Sequence, residues 1–74
     1  MQTLRAVFDG KVVEYPMAAT FEIGQRKPGR AYSLMAEDND ISAAINKFHR
    51  IEKPSLTTRI VAVFGDMRKT IWRK

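Results

Sequence analysis

Thr57-Thr58-Arg59-Ile60-Val61-Ala62-Val63-Phe64-Gly65-Asp66-Met67-Arg68-Lys69-Thr70-Ile71-Trp72-Arg73-Lys74 reads as two strands around a tight turn. With Gly65-Asp66 as a two-residue loop, Phe64 is expected opposite Met67, Ala62 opposite Lys69 and Ile60 opposite Ile71 on one face. Val63 then faces Arg68, Val61 faces Thr70 and Arg59 faces Trp72 on the other. The first face reads as core and the second as a basic contact surface with one tryptophan. Lengthening the loop symmetrically preserves this parity, so the division between faces does not depend on the turn type.

Working outward, the chain opens on a second hairpin. Thr3 to Phe8 and Lys11 to Tyr15 flank Asp9-Gly10, a pair suited to the positive φ angles of a type I′ turn. The register places Leu4 opposite Tyr15 and Ala6 opposite Val13, with Arg5 opposite Glu14 and Val7 opposite Val12 on the other side. Pro16 closes the second strand because it has no N–H for the ladder. A short strand is expected at Ala19 to Ile23, with Phe21 and Ile23 on one face and Glu22 on the other. The basic loop Gly24 to Arg30 follows, with Pro28-Gly29 fitting the centre of a type II turn. The chain then runs extended from Ala31 to Glu37, with Tyr32, Leu34 and Ala36 alternating against Ser33 and Met35.

One helix is expected. Ile41, Ala44, Ile45 and Phe48 form an apolar stripe at i, i+3, i+4 and i+7. Asp38, Asn39 or Asp40 can cap its first turn, Lys47, His49 and Arg50 suit its end, and Pro54 stops it by Lys53. The fold class is therefore α+β: a single domain over 1–74, with an antiparallel sheet of about five or six strands and one helix on one sheet face. The two hairpins flank a central strand pair. The uncovered sheet face becomes the place to look for function.

Composition narrows the function classes. The net charge of +5 is unevenly spread: residues 1–40 carry five cations against six carboxylates, a net of −1, and residues 41–74 carry eight against two, a net of +6. A basic C-terminal half favours a polyanionic partner, nucleic acid or an acidic protein surface. The chain has no cysteine, which excludes disulfides and thiolate zinc sites and fits a cytoplasmic setting. Its longest apolar run, Ile60 to Phe64, falls far short of the ~20 residues of a membrane span, and no signal-peptide stretch is expected at the start.

An enzyme is not expected, and neither is a cofactor or a metal. His49 is the only histidine, and Ser33, Ser42 and Ser55 show no triad spacing. Glu37, Asp38 and Asp40 read as helix-start carboxylates, without the spacing of a calcium loop. Gly24 to Arg30 lacks the glycine-lysine pattern of a phosphate loop but offers Arg26, Lys27 and Arg30 as a basic finger. The main candidate cluster is Arg59, Arg68, Arg73 and Lys74 beside Trp72. Such residues stack on bases and neutralise phosphates in nucleic-acid binders, and supply hot spots in protein interfaces. An Arg59 to Trp72 cation–π pair that only shields the hairpin is the structural alternative.

The stretch Ala31-Tyr32-Ser33-Leu34-Met35-Ala36-Glu37-Asp38-Asn39-Asp40-Ile41-Ser42-Ala43-Ala44-Ile45-Asn46-Lys47-Phe48, a strand, an acidic turn and an Ala-rich helix, resembles small phage or mobile-element proteins of the anti-CRISPR inhibitor type. The resemblance implies a compact, non-enzymatic inhibitor or modulator that docks on a host nucleoprotein complex, and it carries over no binding residue. The alternative is a DNA- or RNA-binding domain using the basic, Trp-bearing sheet face and the Gly24 to Arg30 loop. Sheet extension at an exposed edge leaves a homodimer open, although Lys11, Pro16 and the charged C-terminus would blunt such edges.

Overall fold

The computed structural model describes residues 2–8 and 10–74, and for Phe8 the backbone alone. Six strands and one helix follow in the order β1 (Thr3–Phe8), β2 (Lys11–Pro16), β3 (Thr20–Arg26), β4 (Ser33–Asp38), α1 (Ile41–Ile51), β5 (Thr57–Phe64) and β6 (Met67–Arg73). The α+β class holds, with the helix on one face of an antiparallel sheet. The six strands divide, however, into a four-stranded sheet of order β4-β3-β5-β6 and a separate β1-β2 ribbon. Since β4 and β5 both run antiparallel to β3, they share a direction with β3 between them, and α1 makes the crossover.

The ribbon stands apart because the helix alone cannot cover the sheet. Phe21, Ile23, Ile60 and Ala62 of the two central strands are fully buried beneath Ile41, Ala44, Ile45 and Phe48 of α1. Leu4, Ala6, Val13 and Tyr15 of the ribbon close the rest of that layer. Tyr15 meets Phe21 and Phe64 edge-on, at 6.0 and 5.9 Å between ring centroids, and burial raises its hydroxyl pKa above the ordinary tyrosine value. Each fully buried Ile or Phe contributes about 1.5–3 kcal/mol, which is how so short a chain forms a core without disulfides.

Turn and cap chemistry follows the sequence closely. The β1–β2 register is the expected one, from Leu4 opposite Tyr15 to Val7 opposite Val12. Gly10 has φ +78°, as the second position of a type I′ turn requires, while Asp9 lies outside the described residues. Gly29 also has φ +78°, and the Arg30 N–H donates to the Lys27 carbonyl at 3.0 Å, closing a type II turn around Pro28-Gly29. Asp40 is the N-cap of α1, its Oδ2 accepting from the Ala43 N–H at 3.0 Å. Asp38 Oδ1 accepts from the Asp40 N–H at 2.8 Å, and its Oδ2 lies 3.0 Å from Lys47 Nζ.

Three expectations are corrected. First, β3 does not end at Ile23: Gly24, Gln25 and Arg26 continue it, paired with Arg59, Thr58 and Thr57, so the basic loop begins only at Lys27. The cause is Gln25, a buried amide whose Nε2 donates to the Ile51 carbonyl at 2.8 Å and to Thr58 Oγ1 at 3.2 Å, tying the helix end to the sheet. Second, the β3–β4 register shifts between Ile23 and Gly24, leaving Met35 as an extra residue. Ala36 thus pairs inward with Ile23, while Leu34 pairs with Gly24 and stands 61 % exposed. The inner position one row further on is taken by Gln25 and the end of α1.

Third, the β5–β6 register shifts between Ile60 and Val61. Phe64, Ala62, Val63 and Val61 pair as the sequence predicts, but beyond the shift Trp72 faces Ile60 and Arg73 faces Arg59. With the extra residue, Ile71 and Trp72 both pack against the core, where strict alternation would have spent one of them on the open face.

Gln25→Ala should destabilise the fold by about 1–3 kcal/mol in urea unfolding, because the Ile51 carbonyl loses its side-chain donor. Asp38 is held below the usual carboxylate range, first by the Asp40 N–H and then by Lys47. Its contribution is therefore present above the unfolded pKa of about 3.9 and is lost as pH falls through the lower folded value. Asp38→Asn should flatten the stability profile in that acidic window, and an unchanged profile would contradict the assignment.

Candidate functional site

The ladders define the open face row by row. Thr20, Val63 and Arg68 share one row; Glu37, Glu22, Val61 and Thr70 the next; Leu34, Gly24, Arg59 and Arg73 the third; and Arg26 lies beside Thr57 beyond it. The register shifts in both edge strands straddle the row of Ile23 and Ile60, immediately before the third of these rows. They determine which side chains meet there.

Of the eight residues expected to bind a partner, Arg26, Arg59, Arg68 and Arg73 come together on this face. Lys27 and Arg30 lie in the exposed turn at its end. Trp72 and Lys74 do not join them. Trp72 is half-buried against the core on the helix side. Lys74 exchanges backbone hydrogen bonds with Thr58, at 2.8 and 2.9 Å, and its Nζ lies 3.4 Å from Glu52 Oε1 at the helix C-cap. The expected Arg59 to Trp72 pair is thus replaced by another.

Arg59 lies instead over Tyr32, its guanidinium carbon 3.7 Å from the ring centroid, and Arg26 approaches the same ring at 4.7 Å. Sequence reading missed Tyr32 because it assigned Gly24 to a loop. A glycine inside a strand marks a close approach, and here the approaching group is that ring. A Cβ on Gly24 would meet Tyr32 Cδ1 at 3.5 Å and Tyr32 Cβ at 3.6 Å, ordinary contact that leaves no room for a longer side chain.

Charge on the face is incompletely matched. Arg68 Nη2 donates to Glu22 Oε1 at 2.6 Å, reaching over β5 so that Val61 is only 5 % exposed despite its outward position. Arg26, Arg59 and Arg73 have no ion-pair partner among the described residues, and Arg59 directly faces Arg73 across the ladder. Like charges so opposed repel one another. Glu22, Gly24, Tyr32, Leu34, Arg59 and Arg68 surround a hollow of about 130 Å³ at the centre.

Among the described residues no group of three or more His, Asp or Glu side chains could hold a metal ion. The acidic cluster at 37–40 is engaged in capping and with Lys47, whose Nζ also donates to the Glu37 carbonyl at 3.0 Å. His49 is exposed, with Nδ1 3.8 Å from Glu52 Oε2. No described helix is long and apolar enough to cross a membrane. Neither family models, curated proteins nor solved structures provide a match to this chain.

Trp72→Ala should lower stability by about 1–3 kcal/mol in chemical unfolding, as removal of a half-buried core side chain does. An unchanged unfolding midpoint would return the indole to the open face. Gly24→Ala should stay within about 1 kcal/mol of the parent, whereas Gly24→Leu should displace the Tyr32 ring, read as the loss of its ring-current shifts.

Proposed function

We propose that this is a small non-enzymatic binding protein, an inhibitor or modulator of the phage or mobile-element kind. It docks the open face of its four-stranded sheet on an acidic protein surface of a larger host nucleoprotein complex. The observation that carries this reading is the row in which Arg59 faces Arg73, with Arg26 beside it and no carboxylate paired to any of the three among the described residues. Such an arrangement costs stability in the isolated protein, and an acidic partner offsets that cost on docking. The mixed pattern, with Glu22 and Glu37 paired in the adjacent row, suits a partner of matching irregular charge better than a uniform line of phosphates.

Direct binding of DNA or RNA draws less support. Base stacking requires an accessible aromatic face, yet Trp72 packs on the helix side and Tyr32 already carries two guanidinium groups.

Two measurements test the proposal. Nucleic acid, followed by fluorescence anisotropy, should bind more weakly than micromolar even at about 50 mM salt, and micromolar binding lost by about 200 mM would transfer the face to the alternative reading. Arg73→Glu places a carboxylate opposite Arg59 and should raise stability by about 0.2–1 kcal/mol. The same variant should lose nuclease-resistant capture of the host complex; retained capture would remove the open face from the interface.

A further inference from the structure

We infer that the hollow beside Tyr32 is a carboxylate slot, in which Arg59 receives a single aspartate or glutamate side chain of the docking partner. This inference rests on the docking reading above and identifies its central contact. A guanidinium whose carbon lies 3.7 Å from the centroid of a phenol ring is held in place before any ligand arrives. Arg59 therefore loses little freedom on pairing, unlike an arginine extended into solvent.

Arg59 Nε and the Tyr32 hydroxyl, on two residues that line the hollow, are shielded from solvent and have no hydrogen-bond partner among the described residues. Shielded donors of this kind are rare in folded proteins. Two guanidiniums meet over one ring, that of Arg59 from within the lining of the hollow and that of Arg26 from outside it, and the Arg73 charge is added from the opposing strand.

Size and neighbours select the ligand. At about 130 Å³ the hollow is well below the roughly 300 Å³ at which small-molecule sites begin, so it suits the head of one side chain. Leu34 contributes an apolar wall that fits the methylene stem of such a side chain. Glu22 and Arg68 also line the hollow, and their 2.6 Å contact takes up the Arg68 charge, leaving that of Arg59 for a ligand. Glu22 and its cross-strand neighbour Glu37 would also repel a doubly charged phosphate more strongly than a singly charged carboxylate.

The test is a titration of the whole protein with a capped tetraglutamate peptide at about 50 mM salt, reading the arginine Nε–H signals by NMR. The slot predicts shifts at Arg59 together with the Tyr32 ring. Arg59→Lys, which retains the charge but not the planar fork, should weaken the peptide by about tenfold, and Arg73→Lys by less than about threefold. Backbone spectra of both variants establish that the fold is intact, and Arg68→Lys, at the other cation lining the hollow, serves as the second probe should Arg59→Lys unfold. Equal binding by Arg59→Lys with unmoved Arg59 signals would overturn the slot while leaving sheet-face docking standing. Inorganic phosphate displacing the peptide at lower concentration than acetate would overturn the choice of carboxylate. No peptide binding by the parent protein would overturn the slot and the docking reading together.

Discussion

The structure depends on the pairing of β3 with β5, seven residues on each strand from Thr20 opposite Val63 to Arg26 opposite Thr57. These strands are distant in sequence and form the centre of the sheet. Their inward residues Phe21, Ile23, Ile60 and Ala62 are fully buried. The ladder ends on a buried polar junction, where Gln25 donates both to Thr58 Oγ1 and to the Ile51 carbonyl at the end of α1. An unpaired amide at that depth would be costly, so the junction favours one seating of the helix over others. The crossover from β4 to β5, the closing ribbon and the open face all follow from that seating.

A helix of eleven residues and a two-stranded ribbon cover one sheet face and no more. The other face has to be tolerable in water, and most of its residues are charged or polar. What sets it apart is the distribution of its charges. Arg68 is neutralised locally by Glu22 and shields Val61, whereas the row of Arg59 and Arg73 is left with an excess of positive charge. Local stability alone would favour a carboxylate at one of these positions. Two opposed arginines are a local conflict of charge, and the docking proposal rests on that conflict.

Much of the fold was legible because its determinants are local. The Pro28-Gly29 turn and the Ile41, Ala44, Ile45, Phe48 stripe each act over a few residues and stand where the sequence placed them, and the cap falls on Asp40, one of the three residues the sequence offered. The register of β1 with β2 was legible for the same reason. The partition into two sheets was not, because it depends on how much of the sheet the helix leaves uncovered. The full extent of β3 was hidden as well: Gly24-Gln25 reads as loop until the partners of Gln25, at positions 51 and 58, are brought to it. The candidate site was half legible, its arginines from charge, Arg59 and Arg68 also from alternation, and its tyrosine not at all.

Taken by itself, the sequence determined the turns, the helix and its cap, the inward pattern of the central strands and the basic character of the C-terminal hairpin. Each is set by φ preference, periodicity or side-chain chemistry within one segment. Tertiary structure decided which face Trp72, Leu34 and Tyr32 occupy. Alternation along an isolated strand predicts a face only while the register is unbroken, and one extra residue reverses everything beyond it. At Met35 and Ile71 the choice between regular pairing and a bulge was made by what lay across the sheet: a helix end already filled by Gln25, and a core that gained both Ile71 and Trp72. Those burial energies belong to the assembled layers, and no single segment carries them.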